Sequence, residues 1–248
     1  MIRDIKKIDK EIESTAKSFE DKDAEEVLSW SLERFHPKIA LASSFSAEDV
    51  VIIDVLCRLV KEPRIFTLDT GRLPQETYNL IDAIRERYGI KVEVYFPKTE
   101  YVEKMTREHG VNLFYKSVDY RVLCCEVRKV EPLKRALSGL EAWITGLRRE
   151  QAPSRAHVPK IEVDEAHGGI LKINPLADWT KKQVWDYILN HELPYNKLYD
   201  HGYTSIGCAP CTRPIKSGED DRAGRWWWEE QTIRECGLHH KFEKKANL

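Results

Sequence analysis

Two cysteine pairs lie far apart in this 248-residue chain, Cys124-Cys125 and the ends of Cys208-Ala209-Pro210-Cys211. Four thiols are the number a metal site needs, whereas a lone Cys-x-x-Cys is open to redox, zinc and cluster readings. The adjacent pair narrows the choice. Neighbouring side chains diverge by about 100° on a helix or 180° on a strand, so they converge poorly on one tetrahedral zinc ion. An iron-sulfur cluster, whose separate irons each accept one thiolate, suits that divergence better. Four unrelated buried thiols are the plain alternative, since free cysteine behaves as a small hydrophobe.

A further cysteine, Cys236, stands near a polar terminus in Arg234-Glu235-Cys236-Gly237-Leu238-His239-His240. An exposed thiol beside arginine and histidine gains thiolate character, as a nucleophile requires, and an incidental surface cysteine would look the same. Upstream, Arg222 and Arg225 are three residues apart. On a helix they would share a face that could clamp an oxyanion, or else pair with Glu219, Asp220 and Asp221.

The elements that must hold these groups alternate as in an α/β fold with a mostly parallel sheet. Residues 4–18 and 24–35 place apolar positions at helical spacing, with Asp23 as an N-cap and Pro37 as a stop. Lys38 to Ala42 is a short buried strand that empties into Ser43-Ser44-Phe45-Ser46-Ala47-Glu48-Asp49, and the helix VVIIDVLCRLV follows, with Cys57 in its core. A strand end that opens a helix favours a phosphate, although serine and aspartate are ordinary N-caps and the glycines and lysine of a P-loop are missing. A second strand, 64–68, ends in Asp69-Thr70-Gly71-Arg72, and Pro74 opens a helix to about Tyr88. A third strand spans 91–96 and a helix 99–109. The stretch 117–137 carries Cys124, Cys125, Arg128 and Lys129, with Pro132 as a kink or restart. The strand Ala142 to Ile144 then runs into Thr145-Gly146-Leu147-Arg148-Arg149-Glu150-Gln151. In an open parallel sheet ligands bind beyond the carboxyl ends of the strands, so the three polar tips are expected to gather at one crevice. Two edge strands or a hairpin at 160–163 and 169–173 and a helix at 180–191 complete the regular part. The three consecutive tryptophans at 226–228 read as packing residues.

Composition limits the functions open to such a chain. Forty basic against forty-one acidic residues leave a net charge of -1, so no bulk attraction to nucleic acid or to an anionic membrane exists. The N-terminus lacks the apolar core of a signal peptide and no apolar run would span a bilayer, which makes the cytoplasm the expected compartment. In a reducing compartment six cysteines argue for metal or catalysis rather than disulfides.

Taken together and in order, Cys124-Cys125-x-x-Arg128-Lys129-x-Glu131-Pro132-Leu133, Cys208-x-x-Cys211 and Glu235-Cys236-Gly237-Leu238-His239 resemble the assimilatory adenylyl-sulfate (APS) reductases, relatives of the phosphoadenylyl-sulfate (PAPS) reductases. SFSAED at 44–49, LDTGR at 68–72, TGLRREQ at 145–151 and GRWWWE at 224–229 extend the resemblance over nearly the whole chain. It implies an adenine-nucleotide α/β domain over 1–215 with a 4Fe-4S cluster on Cys124, Cys125, Cys208 and Cys211, and a mobile segment over 216–248 that carries the nucleophile. Cys236 would attack the sulfur of APS, expel AMP and hold the sulfonate as an S-sulfocysteine. Thioredoxin or glutaredoxin would then release sulfite. Ser44, Ser46, Asp69, Thr70, Gly71, Lys129, Gly146, Arg148, Arg149, Arg222, Arg225 and His239 are the implied substrate-binding residues. Fixed cations among them suit an attack on a sulfur that carries three negative oxygens.

Relatives of this kind are commonly homo-oligomers, so a homo-oligomer is expected. Members that keep both cysteine pairs usually take APS, and cluster-free relatives take PAPS. The rivals are PAPS or dual reduction, an ATP-dependent sulfurtransferase of the same fold group, and an iron-sulfur sensor that binds a nucleotide. Two departures stand out: the serine loop is one residue shorter than the SFSGAED common among relatives, and no thioredoxin-like segment follows His240, so a separate reductant is expected.

Overall fold

The computed structural model describes residues 16–229. Six strands form one sheet in the order β3-β2-β1-β4-β6-β5, where β1 is Ile39–Ala42, β2 Ile65–Leu68, β3 Glu93–Tyr95, β4 Ala142–Ile144, β5 Ile161–Asp164 and β6 Ile170–Ile173. β1 pairs in parallel with β2 and β4, β4 in parallel with β6, and β5 runs antiparallel to β6. The central strands read as apolar runs because both faces are covered, with Ile39, Leu41, Ile65, Ala142 and Ile144 almost wholly buried. The sheet is therefore mostly parallel, and the 160–173 region is a hairpin rather than two separate edges.

Helices α1 (Ala24–Phe35), α2 (Ala47–Leu59), α3 (Gln75–Tyr88), α4 (Thr99–His109) and α7 (Lys181–Asn190) fall within a few residues of their expected spans. Asp23 caps α1 by accepting from the Glu26 backbone N–H at 2.8 Å while the Glu26 carboxylate takes the Asp23 N–H at 3.0 Å. The stretch after Ser117 is one continuous helical run, α5 (Val118–Cys125) and α6 (Glu131–Leu137), joined by a single π turn at Glu126–Val130. Pro132 has no N–H to donate and its ring would clash with the carbonyl four residues back. Widening the preceding turn accommodates it without a break, so the helix neither kinks apart nor restarts.

The described chain divides into two compact units. The first holds residues up to Phe66, Asn79–Glu93 and Gly139–Asn196; the second holds Thr67–Tyr78, Val94–Ser138 and the chain from Lys197 onward. In the first, α2 packs its buried Val50, Val51, Ile52 and Ile53 into the core with the sheet. In the second, Met105, Leu113, Phe114, Cys124, Val127, Cys211 and Trp226 make a separate apolar cluster. No helix among the described residues is long and apolar enough to cross a membrane.

Candidate active site

In the first unit the strand order reverses direction between β1 and β4, the point at which open α/β sheets bind ligands. Both loops that leave these strands carry polar residues. After β1 the chain turns at Phe45, which takes a left-handed φ of 57° and is almost fully buried. That turn aims the loop donors at one carboxylate. The Ser44 and Ser46 backbone N–H groups donate to Asp49 Oδ2 at 2.7 and 3.2 Å, and Ser44 Oγ donates to the same oxygen at 2.9 Å. Asp49 is 3% exposed. Burial, and then the neighbouring Glu48 carboxylate, push its pKa up to about 6 against the pull of those three hydrogen bonds.

The loop after β4 closes on the same place. A Cβ at Gly146 would lie 2.6 Å from Asp49 Oδ1 and 3.0 Å from Glu48 Cβ, so only glycine fits. Arg148 is buried, and its Nε donates to Glu48 Oε1 at 2.8 Å while Nη1 donates to the Trp179 carbonyl at 3.2 Å. Arg149 donates through Nε to the Val158 carbonyl at 2.9 Å and through Nη2 to Glu20. Ser44, Ser46, Gly146 and Arg148 are thus brought together, and Arg149 ties the next turn to the segment before α1.

The second unit gathers the thiols. Cys208 to Cys211 forms a 3-10 turn in which the Cys211 N–H donates to the Cys208 carbonyl at 2.9 Å. The Asp69–Arg72 loop lies against it: Thr70 Oγ1 is 3.2 Å from Cys208 Sγ, and the Ala209 N–H donates to the Arg72 carbonyl at 2.8 Å. Asp69 shapes that loop by accepting from the Gly71 N–H at 2.7 Å and from the Tyr78 hydroxyl at 2.9 Å, with Gly71 at a φ of 69°. Cys124 and Cys211 are buried in the apolar cluster, Cys208 packs against it, and Cys125, one position along α5, is half-buried.

Burial pushes the Cys124 thiol up, with Arg128, Arg72 and Lys129 pulling it back and Cys208 adding to the rise. Burial and Cys208 push Cys211 up to about 12, with Lys129 and Arg225 opposing. Lys129 therefore acts on one cysteine of each pair. Lys129 and Arg225 are among those foreseen from the sequence, and Arg128 is not. Its Nη1 donates to the Thr70 carbonyl at 2.6 Å and its buried Nε has no acceptor among the described residues. The signal for it was the spacing of four from Cys124, which puts the two side chains on one helical face.

Arg225 is 7% exposed, donates to Ser205 Oγ at 3.2 Å and the Ile206 carbonyl at 3.3 Å, and occupies the space a Cβ at Gly207 would need. Arg222 lies on a turn and Arg225 in an isolated antiparallel bridge to Thr212 rather than on a helix, with the Arg225 N–H donating to the Arg222 carbonyl at 2.9 Å. Trp226 is 2% exposed, Trp228 packs on Tyr115 with ring centroids 4.5 Å apart, and Trp227 is exposed. Cys236 and His239 lie outside the described residues. Among the described residues no three cysteine, histidine or acidic side chains stand at distances that would hold a metal ion.

Comparison with known proteins adds a second line of observation. Residues 38–214 match the phosphoadenosine phosphosulfate reductase domain family. The chain is 52% identical over 203 residues to an adenosine 5'-phosphosulfate reductase of Allochromatium vinosum, a match covering 82% of this chain and 79% of that protein. It is 44% identical over 234 residues to an adenosine 5'-phosphosulfate reductase of Pseudomonas aeruginosa, covering 92% and 86%. Among solved structures it is similar to a phosphoadenylyl-sulfate reductase from Candida auris in a phosphate complex, at 34% identity and a TM-score of 0.71, covering 82% of this chain and 96% of that one.

Proposed function

The chain belongs to the phosphoadenosine phosphosulfate reductase family, and from that premise we propose that it is the adenylyl-sulfate reductase of assimilatory sulfate reduction, releasing sulfite and AMP from APS. The observation that carries the choice of APS over PAPS is the run of relatives named for the former at 44 to 52% identity over most of the chain.

The reaction we assign needs a thiolate and a field of fixed cations. Cys236 supplies the thiolate. Its Sγ attacks the sulfur of APS, a sulfur-sulfur bond forms, the sulfur-oxygen bond to phosphate breaks, and AMP leaves with the electron pair. The product is Cys236 S-sulfocysteine. A thiol of a separate thioredoxin or glutaredoxin then attacks Cys236 Sγ and sulfite departs with the bonding pair; the second thiol of that protein resolves the mixed disulfide, so a dithiol is oxidised as the sulfonate is reduced. Lys129, Arg222, Arg225 and His239 are the groups we assign to the anionic end of APS, with Asp69, Thr70 and Gly71 shaping the loop beside the thiols. Ser44, Ser46 and Gly146 are assigned to the nucleotide, with Arg148 and Arg149 holding their loops. Residues 216–248 form the segment that delivers Cys236.

Cys124, Cys125, Cys208 and Cys211 are the ligands we assign to a 4Fe-4S cluster. Three features support the fit. Cys124 and Cys211 share one buried cluster with Cys208 against it, burial pushes the thiols of both upward although cations lie near enough to oppose it, and the buried Nε atoms of Arg128 and Arg225 have no acceptor among the described residues. When bound, the cluster supplies structural and electrostatic support rather than electrons, because the reducing equivalents arrive by thiol exchange. The reading further places the enzyme in the cytoplasm as a homo-oligomer. Sulfite release from APS, from PAPS and from APS plus ATP tests it. A kcat/KM for APS far above that for PAPS, with no ATP consumed, is the expected result, and equal turnover of the two nucleotides would overturn the substrate assignment.

A further inference from the structure

Glu229 stands seven residues before Cys236 in the sequence. How that point is held is therefore a question about the nucleophile. Glu229 does not sit in solvent. Its Oε1 accepts from Arg121 Nε at 2.7 Å, and the two side chains are 8% and 2% exposed. A buried pair of this kind is far harder to break than a surface one, since removing either partner leaves the other charge uncompensated.

The same arginine fixes the residue three positions earlier. The Arg121 guanidinium carbon lies 4.6 Å from the Trp226 ring centroid, and that of Arg225 lies 4.8 Å from it. Trp226 is held with a φ of 43°, a conformation a tryptophan keeps only where its surroundings impose it. Its N–H donates to the Cys211 carbonyl at 3.2 Å, and the Glu229 N–H donates to the Trp226 carbonyl at 2.9 Å. Arg121 itself lies on α5, one turn before Cys124. Side chain, ring and backbone thus pin one short turn, residues 226–229, to the helix that bears the first cysteine pair. Neither Arg121 nor Glu229 is needed to hold substrate or cofactor in the reading above.

We propose that Arg121 and Glu229 form a clamp that positions the C-terminal segment, so that Cys236 is presented to APS from a fixed base. They are positioning residues, acting through Cys236, and the inference rests on Cys236 being the nucleophile. From Glu229 the chain can carry the cysteine at most about 25 Å. Within the turn 226–229, loss of the Glu229 contact leaves Trp226 as the held residue, so the spacing in sequence to Cys236 changes from seven residues to ten. For a featureless tether the effective concentration falls as roughly the −3/2 power of length, which makes that change worth less than about twofold. A larger loss means that the clamp sets direction and register as well as length.

The test is single-turnover formation of the S-sulfo adduct at saturating APS, followed by mass with the modified peptide identified, in the cofactor-loaded full-length protein. Glu229→Gln is expected to slow the adduct at least about tenfold, beyond the tether effect alone. APS affinity and the alkylation rate of Cys236 by iodoacetamide should stay within twofold of wild type. A Gly-Ser insertion directly after Glu229 leaves the buried pair intact and shifts only the register of Cys236; it should slow the adduct to a similar degree, and it decides the matter if Glu229→Gln does not fold. Rates within twofold of wild type in the insertion variant would overturn the clamp. Absence of any adduct on Cys236 in wild type would overturn the assignment of the nucleophile instead, so the two failures are distinct.

Discussion

Replacing Arg148 by alanine tests whether this arginine braces the nucleotide loop or binds the ligand directly. The side chain is 6% exposed and its Nε is 2.8 Å from a Glu48 carboxylate that is itself 10% exposed. Truncation leaves that carboxylate buried, unpaired and next to Asp49, a neighbour it already perturbs. Breaking a buried pair costs about 3 to 5 kcal/mol, a sizeable part of the 5 to 15 kcal/mol that holds a typical domain. Glu48→Gln should cost less, about 1.5 to 3 kcal/mol, because Arg148 keeps the Trp179 carbonyl at 3.2 Å and Glu150 at 3.5 Å. The double variant Arg148→Ala with Glu48→Gln removes both charges together and should recover about 2 kcal/mol or more relative to the sum of the single changes. Urea unfolding of the four proteins gives the cycle, and APS affinity of the folded variants is measured beside it. Additive costs, or an Arg148→Ala protein of wild-type stability that binds APS more than tenfold worse, would refute the brace and make Arg148 a ligand-binding group.

Asp49 gives a pH signature. Its folded pKa of about 6 lies above the ordinary 3.8, so the folded state holds the proton more tightly than the unfolded one. The stability tied to this proton is fully present below about pH 4 and is lost as pH rises to about 6, to the order of 3 kcal/mol. Denaturant titrations should therefore show Asp49→Asn gaining on wild type between pH 4 and pH 7; a difference that does not vary with pH counts against the buried, protonatable carboxyl. Gly146→Ala puts a methyl group 2.6 Å from Asp49 Oδ1, and overpacking of this kind costs about 1 to 3 kcal/mol. Isothermal titration should show APS binding weakened in that variant, and unchanged affinity with unchanged stability would mean the two loops are not in contact as described.

Much of this was readable in the residues themselves. The strands were marked by short apolar runs ending in polar clusters, and the helices by Asp23, Pro37 and Pro74, signals that act locally and so survive without tertiary knowledge. What escaped depends on long-range contact. Asp49 looked like a plain cap residue, and only the fold shows that it collects the donors of Ser44 and Ser46 against Gly146. Arg128 carries no assigned role in the sequence, where it is only part of the motif beside Lys129, and the approach of the Thr70 loop gives it a partner. Pro132 suggested a break, yet a π turn absorbs it because packing on both sides keeps the helix running. The pairing of Arg121 with Glu229, 108 residues apart, has no local signature at all. The three-residue spacing of Arg222 and Arg225 would give a shared face only on a helix, and the segment instead forms a turn followed by a bridge to Thr212, a choice that spacing alone does not decide.

The central claim is that a covalent sulfonate forms on Cys236 without electrons from any other source. Wild-type protein with its cofactor intact, mixed with APS and no thiol reductant and read by intact mass and peptide mapping, addresses it most directly. The account predicts stoichiometric gain of one sulfonate on Cys236, release of one AMP, and loss of the adduct when thioredoxin and its reductant are added. An active preparation that releases AMP with no adduct, or that carries the sulfonate on another cysteine, would contradict it.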